Sequence, residues 1–117
     1  MACHSFYLNS KIRVGDGIDD KKNLTGEGTV FYKGSYDKEL YFFVDNDTKN
    51  LTTTKLVATF YKKSGDDYTE LNTENYTITG LYPIAYFPYT FTARGDYKIR
   101  VENEYGAWIN TVEFSIK

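Results

Sequence analysis

Apolar and polar residues alternate along several segments of this chain. A period of two is typical of a β-strand that buries one face, because successive side chains point to opposite sides of the sheet. The predicted inward-facing residues are Leu40, Phe42 and Val44 in 39–45, Leu56, Ala58 and Phe60 in 54–62, Tyr97, Ile99 and Val101 in 96–102, and Trp108, Val112, Phe114 and Ile116 in 107–116. The same alternation predicts that Ile109 faces outward. These segments therefore predict four strands.

Shorter or less regular segments predict further strands. The candidates are 28–33, 67–71, 74–79 and 84–92, with 5–14 as an N-terminal addition. Turn residues separate the segments, and two of these turns, Ser64-Gly65-Asp66-Asp67 and Glu104-Tyr105-Gly106, predict hairpins. No segment keeps a helical period. The sequence therefore predicts one all-β domain over residues 1–117, an antiparallel β-sandwich of roughly seven to nine strands.

The segment 82–91 carries both prolines of the chain, Pro83 and Pro88. Proline has no amide hydrogen, so it cannot donate to the ladder of a central strand. This segment is therefore predicted to form an edge strand or to contain a bulge.

The composition fits one packed domain and excludes two classes of partner. Hydrophobic residues make up 41% and aromatic residues 18% of the 117 residues, which indicates a folded core. The formal net charge is −2 and the basic residues are scattered, so nucleic acid is not expected as a partner. No apolar run reaches about 18 residues, so no transmembrane segment is expected.

The C-terminal part runs from Phe91 through Gly95-Asp-Tyr97 into alternating β-branched residues and a turn at 103–106. This pattern resembles the closing hairpin of bacterial immunoglobulin-like and PKD-like domains. The resemblance implies that Gly95 allows a sharp corner and that Tyr97 caps free backbone groups. Antibody-type domains have a cysteine two residues after this tyrosine, where Ile99 stands in this chain. The resemblance implies an immunoglobulin-like sandwich and implies little about function.

The chain offers few residues for catalysis or for a transition metal. It has one cysteine and one histidine, Cys3 and His4, and adjacent residues of a strand point to opposite faces. A nucleophile with its base, or a zinc site, needs more than this pair. The protein is therefore predicted to be no enzyme and to carry no cofactor. Calcium stays open, because it needs only oxygen ligands and two loops are rich in aspartate, Asp16-Gly17-Ile18-Asp19-Asp20 and Asp45-Asn46-Asp47.

Aromatic side chains are more numerous than one core can hold. Those predicted to form a ligand or partner surface are Tyr41, Phe43, Tyr61, Tyr82, Tyr86 and Tyr89. The expected partner is a protein or a glycan. Tyrosine rings lying side by side in one plane would favour a glycan, since sugars stack on ring faces, and a continuous apolar patch would favour a protein. Adhesion, spacing or protein recognition is the main hypothesis, and a carbohydrate-binding module that uses exposed tyrosines is the alternative.

Ala2-Cys3 matches the end of a bacterial lipoprotein processing site. Two interpretations of Cys3 stay open: it is an ordinary residue near the start of the chain, or it is the lipid anchor that this match would imply. The Ala2-Cys3 match and the family resemblance together lead us to expect a module of a secreted or surface-anchored bacterial protein, located outside the cell or on its surface.

Overall fold

The computed structural model describes Tyr7 and residues 10–117. Seven long strands and three two-residue strands account for the regular structure of these residues. The long strands are β1 (Lys11–Gly15), β5 (Lys38–Asp45), β6 (Lys55–Ser64), β7 (Asp67–Thr77), β8 (Ile84–Phe91), β9 (Gly95–Asn103) and β10 (Trp108–Ile116). The short ones are β2 (Gly17–Ile18), β3 (Leu24–Thr25) and β4 (Val30–Phe31). The described residues contain no helix, as the alternation predicts.

Two sheets form the body of the protein. The small sheet has three strands in the order β1-β5-β8, and the large sheet has five in the order β4-β10-β9-β6-β7. All neighbours in them are antiparallel except the short β4, which runs parallel to β10. The two predicted strands 67–71 and 74–79 form one continuous strand, β7. The predicted edge position of the proline segment is confirmed, because β8 has a neighbour on one side only.

Aromatic rings fill the space between the two sheets. Phe42, on the central strand of the small sheet, lies 5.6 Å from Phe60 and 5.5 Å from Phe114 of the large sheet, measured between ring centroids. On its own sheet it lies 5.7 Å from Phe87 and 6.3 Å from Phe91. The contact with Phe87 is stacked and the other three are tilted or edge-on, and offset-stacked and edge-on arrangements are the favoured geometries of buried aromatic pairs. The two sheets are therefore held together by interlocking rings.

The predicted inward faces are confirmed for three of the four clearest strands. The residues with no exposed surface include Leu40, Phe42, Val44, Leu56, Ala58, Phe60, Ile99 and Val101. The prediction is wrong at the start of β10, where Trp108 is 41% exposed and Ile109 is buried. A bulge between Trp108 and Asn110 shifts the register with β9 and reverses the alternation there.

The expected hairpins and the expected corner are also confirmed. Ser64 pairs with Asp67, and Gly65 has a φ of 67°, as the first position of a two-residue type II′ turn requires. At the expected corner, where β9 begins, the hydroxyl of Tyr97 donates to the carbonyl of Ala93 at 2.6 Å. Gly95 has a φ of 155° there, a backbone conformation that favours glycine.

Truncation of a core side chain on the large sheet should destabilise the domain strongly. Phe60→Ala and Ile99→Ala are each expected to lower the free energy of unfolding by about 2–5 kcal/mol, because each removes fully buried apolar volume. Urea titration measures this loss. Tyr105→Ala is the control, since Tyr105 is 83% exposed. Core variants that lose no more than the control would contradict the strand register.

Candidate functional site

The six aromatic residues predicted to form a partner surface lie in four different places. Tyr41, Phe43 and Tyr86 share the outer face of the small sheet. Tyr61 lies on the outer face of the large sheet, on the opposite side of the protein. Tyr82 lies in the loop before β8, and Tyr89 lies between the sheets. The structure therefore brings three of the six together.

Tyr89 packs against the core rather than forming part of an exposed surface. Its ring stacks on that of Phe60 with 3.9 Å between centroids and 18° between planes. Its hydroxyl accepts a hydrogen bond from the side-chain amide of Asn72 at 3.3 Å. Tyr89 is only partly buried because it lies at the side of the sandwich where the edge strands β7 and β8 of the two sheets face each other.

Strand pairing arranges the outer face of the small sheet in three rows. From β1 across β5 to β8, the rows are Lys11–Asp45–Ile84, Arg13–Phe43–Tyr86 and Gly15–Tyr41–Pro88. The apolar and aromatic members of these rows are adjacent, and we call them the aromatic face: Tyr41, Phe43, Ile84, Tyr86 and Pro88. Residues opposite each other on neighbouring strands are in side-chain contact range, so these five form one continuous surface.

Phe43 and Tyr86 stack on each other at the centre of the aromatic face. Their ring centroids are 5.1 Å apart and their planes differ by 19°. Phe43 is only 5% exposed although it points away from the core, whereas Tyr86 is 40% exposed. The two rings are therefore stacked, not placed side by side in one plane as a sugar platform would need.

Charged side chains border the aromatic face. The guanidinium of Arg13 donates to Glu27, with 2.9 Å from Nη2 to Oε1, and its Nη1 lies 3.9 Å from a carboxylate oxygen of Asp45. This pairing raises the pKa of Arg13 and lowers that of Glu27, mainly through the hydrogen bond between them. The hydroxyl of Tyr41 donates to Glu39 at 2.9 Å, which raises its pKa. An apolar centre with a polar border is the usual anatomy of a protein-contact surface.

Exposed apolar residues continue from the aromatic face into the loop before β8. Leu81 is 71% and Tyr82 is 65% exposed. Their backbone is held in place, because Tyr82 accepts a hydrogen bond from the amide of Leu51 at 3.0 Å and Gly80 accepts one from Thr52 at 2.9 Å. Leu81 was not among the predicted surface residues. An apolar pair between Gly80 and Pro83, where loops are normally polar, is the signal that identifies it.

Glu104 joins two loops at this end of the sandwich. Its Oε2 accepts hydrogen bonds from the amide of Thr54 at 2.7 Å and from the hydroxyl of the same residue at 2.9 Å. In return, the amide of Glu104 donates to the hydroxyl of Thr53 at 3.2 Å. The hydrogen bonds to Thr54 lower the pKa of the Glu104 carboxyl. The β9–β10 turn is thus tied to the loop between β5 and β6.

Acidification should weaken this link. A carboxyl whose pKa is lower in the folded protein than in the unfolded chain stabilises the fold when the pH is above the unfolded-state pKa. This stabilisation is lost as the pH falls through the folded-state pKa. The difference in melting temperature between the wild type and Glu104→Gln is therefore expected to narrow between about pH 7 and about pH 3. Thermal unfolding of both proteins at these two pH values measures the difference in melting temperature. A difference that does not change with pH would contradict this role for the carboxylate.

Aspartates of both acidic loops accept hydrogen bonds from nearby backbone amides. Asp19 Oδ1 accepts from the amides of Lys21 and Asn23, both at 2.9 Å, and Asp45 Oδ1 accepts from the amide of Asp47 at 2.9 Å. The hydrogen bond from Asn23 is the main reason that the pKa of Asp19 is lowered. Within Tyr7 and residues 10–117, no three His, Cys, Asp or Glu side chains are grouped to hold a metal ion. Calcium binding in these loops therefore stays the open alternative to the predicted absence of a cofactor.

Two other sequence predictions fall on the N-terminal residues. Cys3, the predicted lipid anchor, and His4 lie outside the described residues. The described residues contain no helix with the length and hydrophobicity that a membrane span requires.

Comparison with known proteins gives a fold. No protein-family model matches the sequence, and no curated protein sequence is similar to it. Among solved structures, an immunoglobulin-like protein from Pseudomonas aeruginosa matches with a TM-score of 0.56 at 14% identity, over 92% of both chains. The fold is an immunoglobulin-like β-sandwich. The soluble domain of PmoD from Methylocystis sp. matches with a TM-score of 0.52 at 12% identity, over 92% of this chain and 90% of that one.

A superoxide reductase from Ignicoccus hospitalis is more distant, with a TM-score of 0.47 at 10% identity over 92% of this chain and 80% of that one. This likeness is too weak to carry an argument. At the identities of all these structures, the similarity concerns the fold alone.

The strand order agrees with the immunoglobulin-like assignment. In the usual lettering, β1, β5 and β8 correspond to strands A, B and E, and β6, β9 and β10 to C, F and G. β7 takes the place of C′ beside C. The hydrogen bond from Tyr97 to Ala93 lies at the start of strand F, where the tyrosine corner of this fold is found.

Proposed function

We propose that this immunoglobulin-like module belongs to a secreted or surface-anchored bacterial protein and acts without catalysis, in adhesion, spacing or protein recognition. The observation that carries the proposal is the aromatic face, together with Leu81 and Tyr82 beside it. Ile84 and Tyr86 are each 40% exposed and Pro88 is exposed as well, so apolar surface reaches the solvent along the first half of the edge strand β8. Soluble domains rarely leave such a continuous patch uncovered.

The geometry of the rings supports a protein partner over a glycan on this face. Phe43 and Tyr86 cover each other, so they do not form the side-by-side platform on which adjacent sugar rings would stack. The border of Arg13, Glu27 and Glu39 supplies charged groups where an interface is usually polar. The polar side chains beside the rings are bound to one another, which supports a contact role over an acid–base role.

Location at the bacterial surface is the other half of the proposal. Its support is the Ala2-Cys3 sequence and the likeness of the fold to an immunoglobulin-like protein and to a soluble domain from bacteria. Labelling of intact cells with a membrane-impermeant, lysine-reactive biotin reagent tests it. We expect the native protein to be labelled, while a cytoplasmic control protein is not. Protection of the protein until the cells are lysed would contradict a surface location.

Site-specific photocrosslinking in the native cells tests the contact surface. We expect p-benzoylphenylalanine in place of Tyr86 to form a discrete crosslinked product with another protein. The matched control carries the same group in place of Tyr61, which lies on the opposite outer face. Melting temperatures of both purified variants establish that each still folds. Equal crosslinking from both positions, or none from Tyr86, would contradict the assignment of the aromatic face.

A further inference from the structure

A shallow depression lies on the outer face of the large sheet, on the opposite side of the protein from the aromatic face. It encloses about 300 Å³ and is lined by Thr29, Val30, Lys63, Tyr68, Asp96, Glu113, Phe114 and Ser115. This volume is at the lower end of the range for small-molecule sites. The lining comes from β10, β9, β6 and β7 and from the segment at β4, so a rigid sheet positions most of it.

Tyr68 crosses the sheet and forms one side of this depression. It belongs to β7, where it pairs with Lys63 of β6, yet its hydroxyl donates to Glu113 of β10 at 3.0 Å. Its side chain therefore extends over the neighbouring strands rather than away from the sheet. The ammonium of Lys98 lies 4.4 Å from the Tyr68 ring and 5.1 Å from the Tyr61 ring, measured to the centroids. The hydrogen bond and the cation–π contact hold the ring in one orientation.

Hydrogen-bonding groups surround this ring, and their charges balance. Ser115 donates to Asp96 Oδ1 at 2.6 Å, and Tyr68 donates to Glu113 Oε1, so each carboxylate is oriented by one hydroxyl. Among the described residues, Lys63 and Lys98 supply as many positive charges near Tyr68 as Asp96 and Glu113 supply negative ones. A balanced set favours a neutral ligand with many hydroxyl groups over a free anion or cation.

We propose that this depression binds a saccharide. The C–H face of a pyranose ring would stack on the face of the Tyr68 ring that Lys98 does not cover, since aromatic rings favour such contacts. Sugar hydroxyls would donate to the remaining lone pairs of Asp96 and Glu113 and accept from Lys63, because ionised groups form the stronger hydrogen bonds. This site goes beyond the proposed function, because it uses none of the residues of the aromatic face.

Chemical-shift mapping of the isotope-labelled protein tests the proposal. The probes are glucose, galactose, mannose, N-acetylglucosamine, cellobiose and lactose, each titrated to about 20 mM, a range that detects weak single-site binding. We expect at least one probe to shift the backbone amides of Lys63, Tyr68, Asp96 and Glu113. The amides of the aromatic face should not shift.

Two substitutions of Tyr68 distinguish the contribution of its ring to saccharide binding from that of its hydroxyl group. Tyr68→Ala is expected to weaken the binding of the active probe about tenfold or more, because it removes the stacking surface. Tyr68→Phe keeps the ring and should retain binding to within a few-fold. Tyr41→Ser, on the aromatic face, is the control and should bind as the wild type does.

Three outcomes would overturn the proposal. They are the absence of any shift with all six probes, shifts confined to residues outside the depression, and undiminished binding by a folded Tyr68→Ala variant. None of these outcomes affects the crosslinking expected from Tyr86, so the saccharide site and the proposed protein contact can fail separately.

Discussion

The packing of Phe42 against rings from both sheets is the interaction on which the rest of this structure depends. Phe60 and Phe114 approach it from the large sheet, and Phe87 and Phe91 approach it from the small sheet. Burial of such large apolar side chains is the main favourable term in folding. Because a strand alternates, a Phe42 that points inward obliges Tyr41 and Phe43 to point outward. The aromatic core therefore also decides which rings form the aromatic face.

The two outer faces of the sandwich differ in chemistry although both carry tyrosines. On the small sheet, Tyr86 stacks on another ring and the charged groups lie at the border. On the large sheet, Tyr68 lies among charged residues and is bound to Lys98 and Glu113. An apolar surface with a charged border fits a protein partner, and a polar depression beside one ring fits a small hydroxylated ligand. One immunoglobulin-like scaffold thus presents two separate surfaces.

Alternation in the sequence predicts much of the fold, because the central inward positions of 39–45, 54–62 and 96–102 carry aliphatic or aromatic side chains. It fails at Trp108 because a bulge is a local change of register that residue types do not reveal. The six residues of the predicted surface lie in four different places for a related reason. Alternation indicates that Tyr41 and Tyr61 point away from the core, but not that they belong to different sheets. The sequence does not single out Tyr68, because its contact with Glu113 joins strands that are distant in sequence.

Two neighbouring residues of β5 allow the most direct test of the division between the inner and outer faces. Phe42 and Tyr41 lie on the same strand, and we assign Phe42 to holding the sheets together and Tyr41 to the contact surface. Urea unfolding should show that Phe42→Ala loses about 3–5 kcal/mol of unfolding free energy, whereas Tyr41→Ala loses less than about 1 kcal/mol. Equal losses in the two variants would contradict the separation of a structural inner face from an aromatic face that is free to bind.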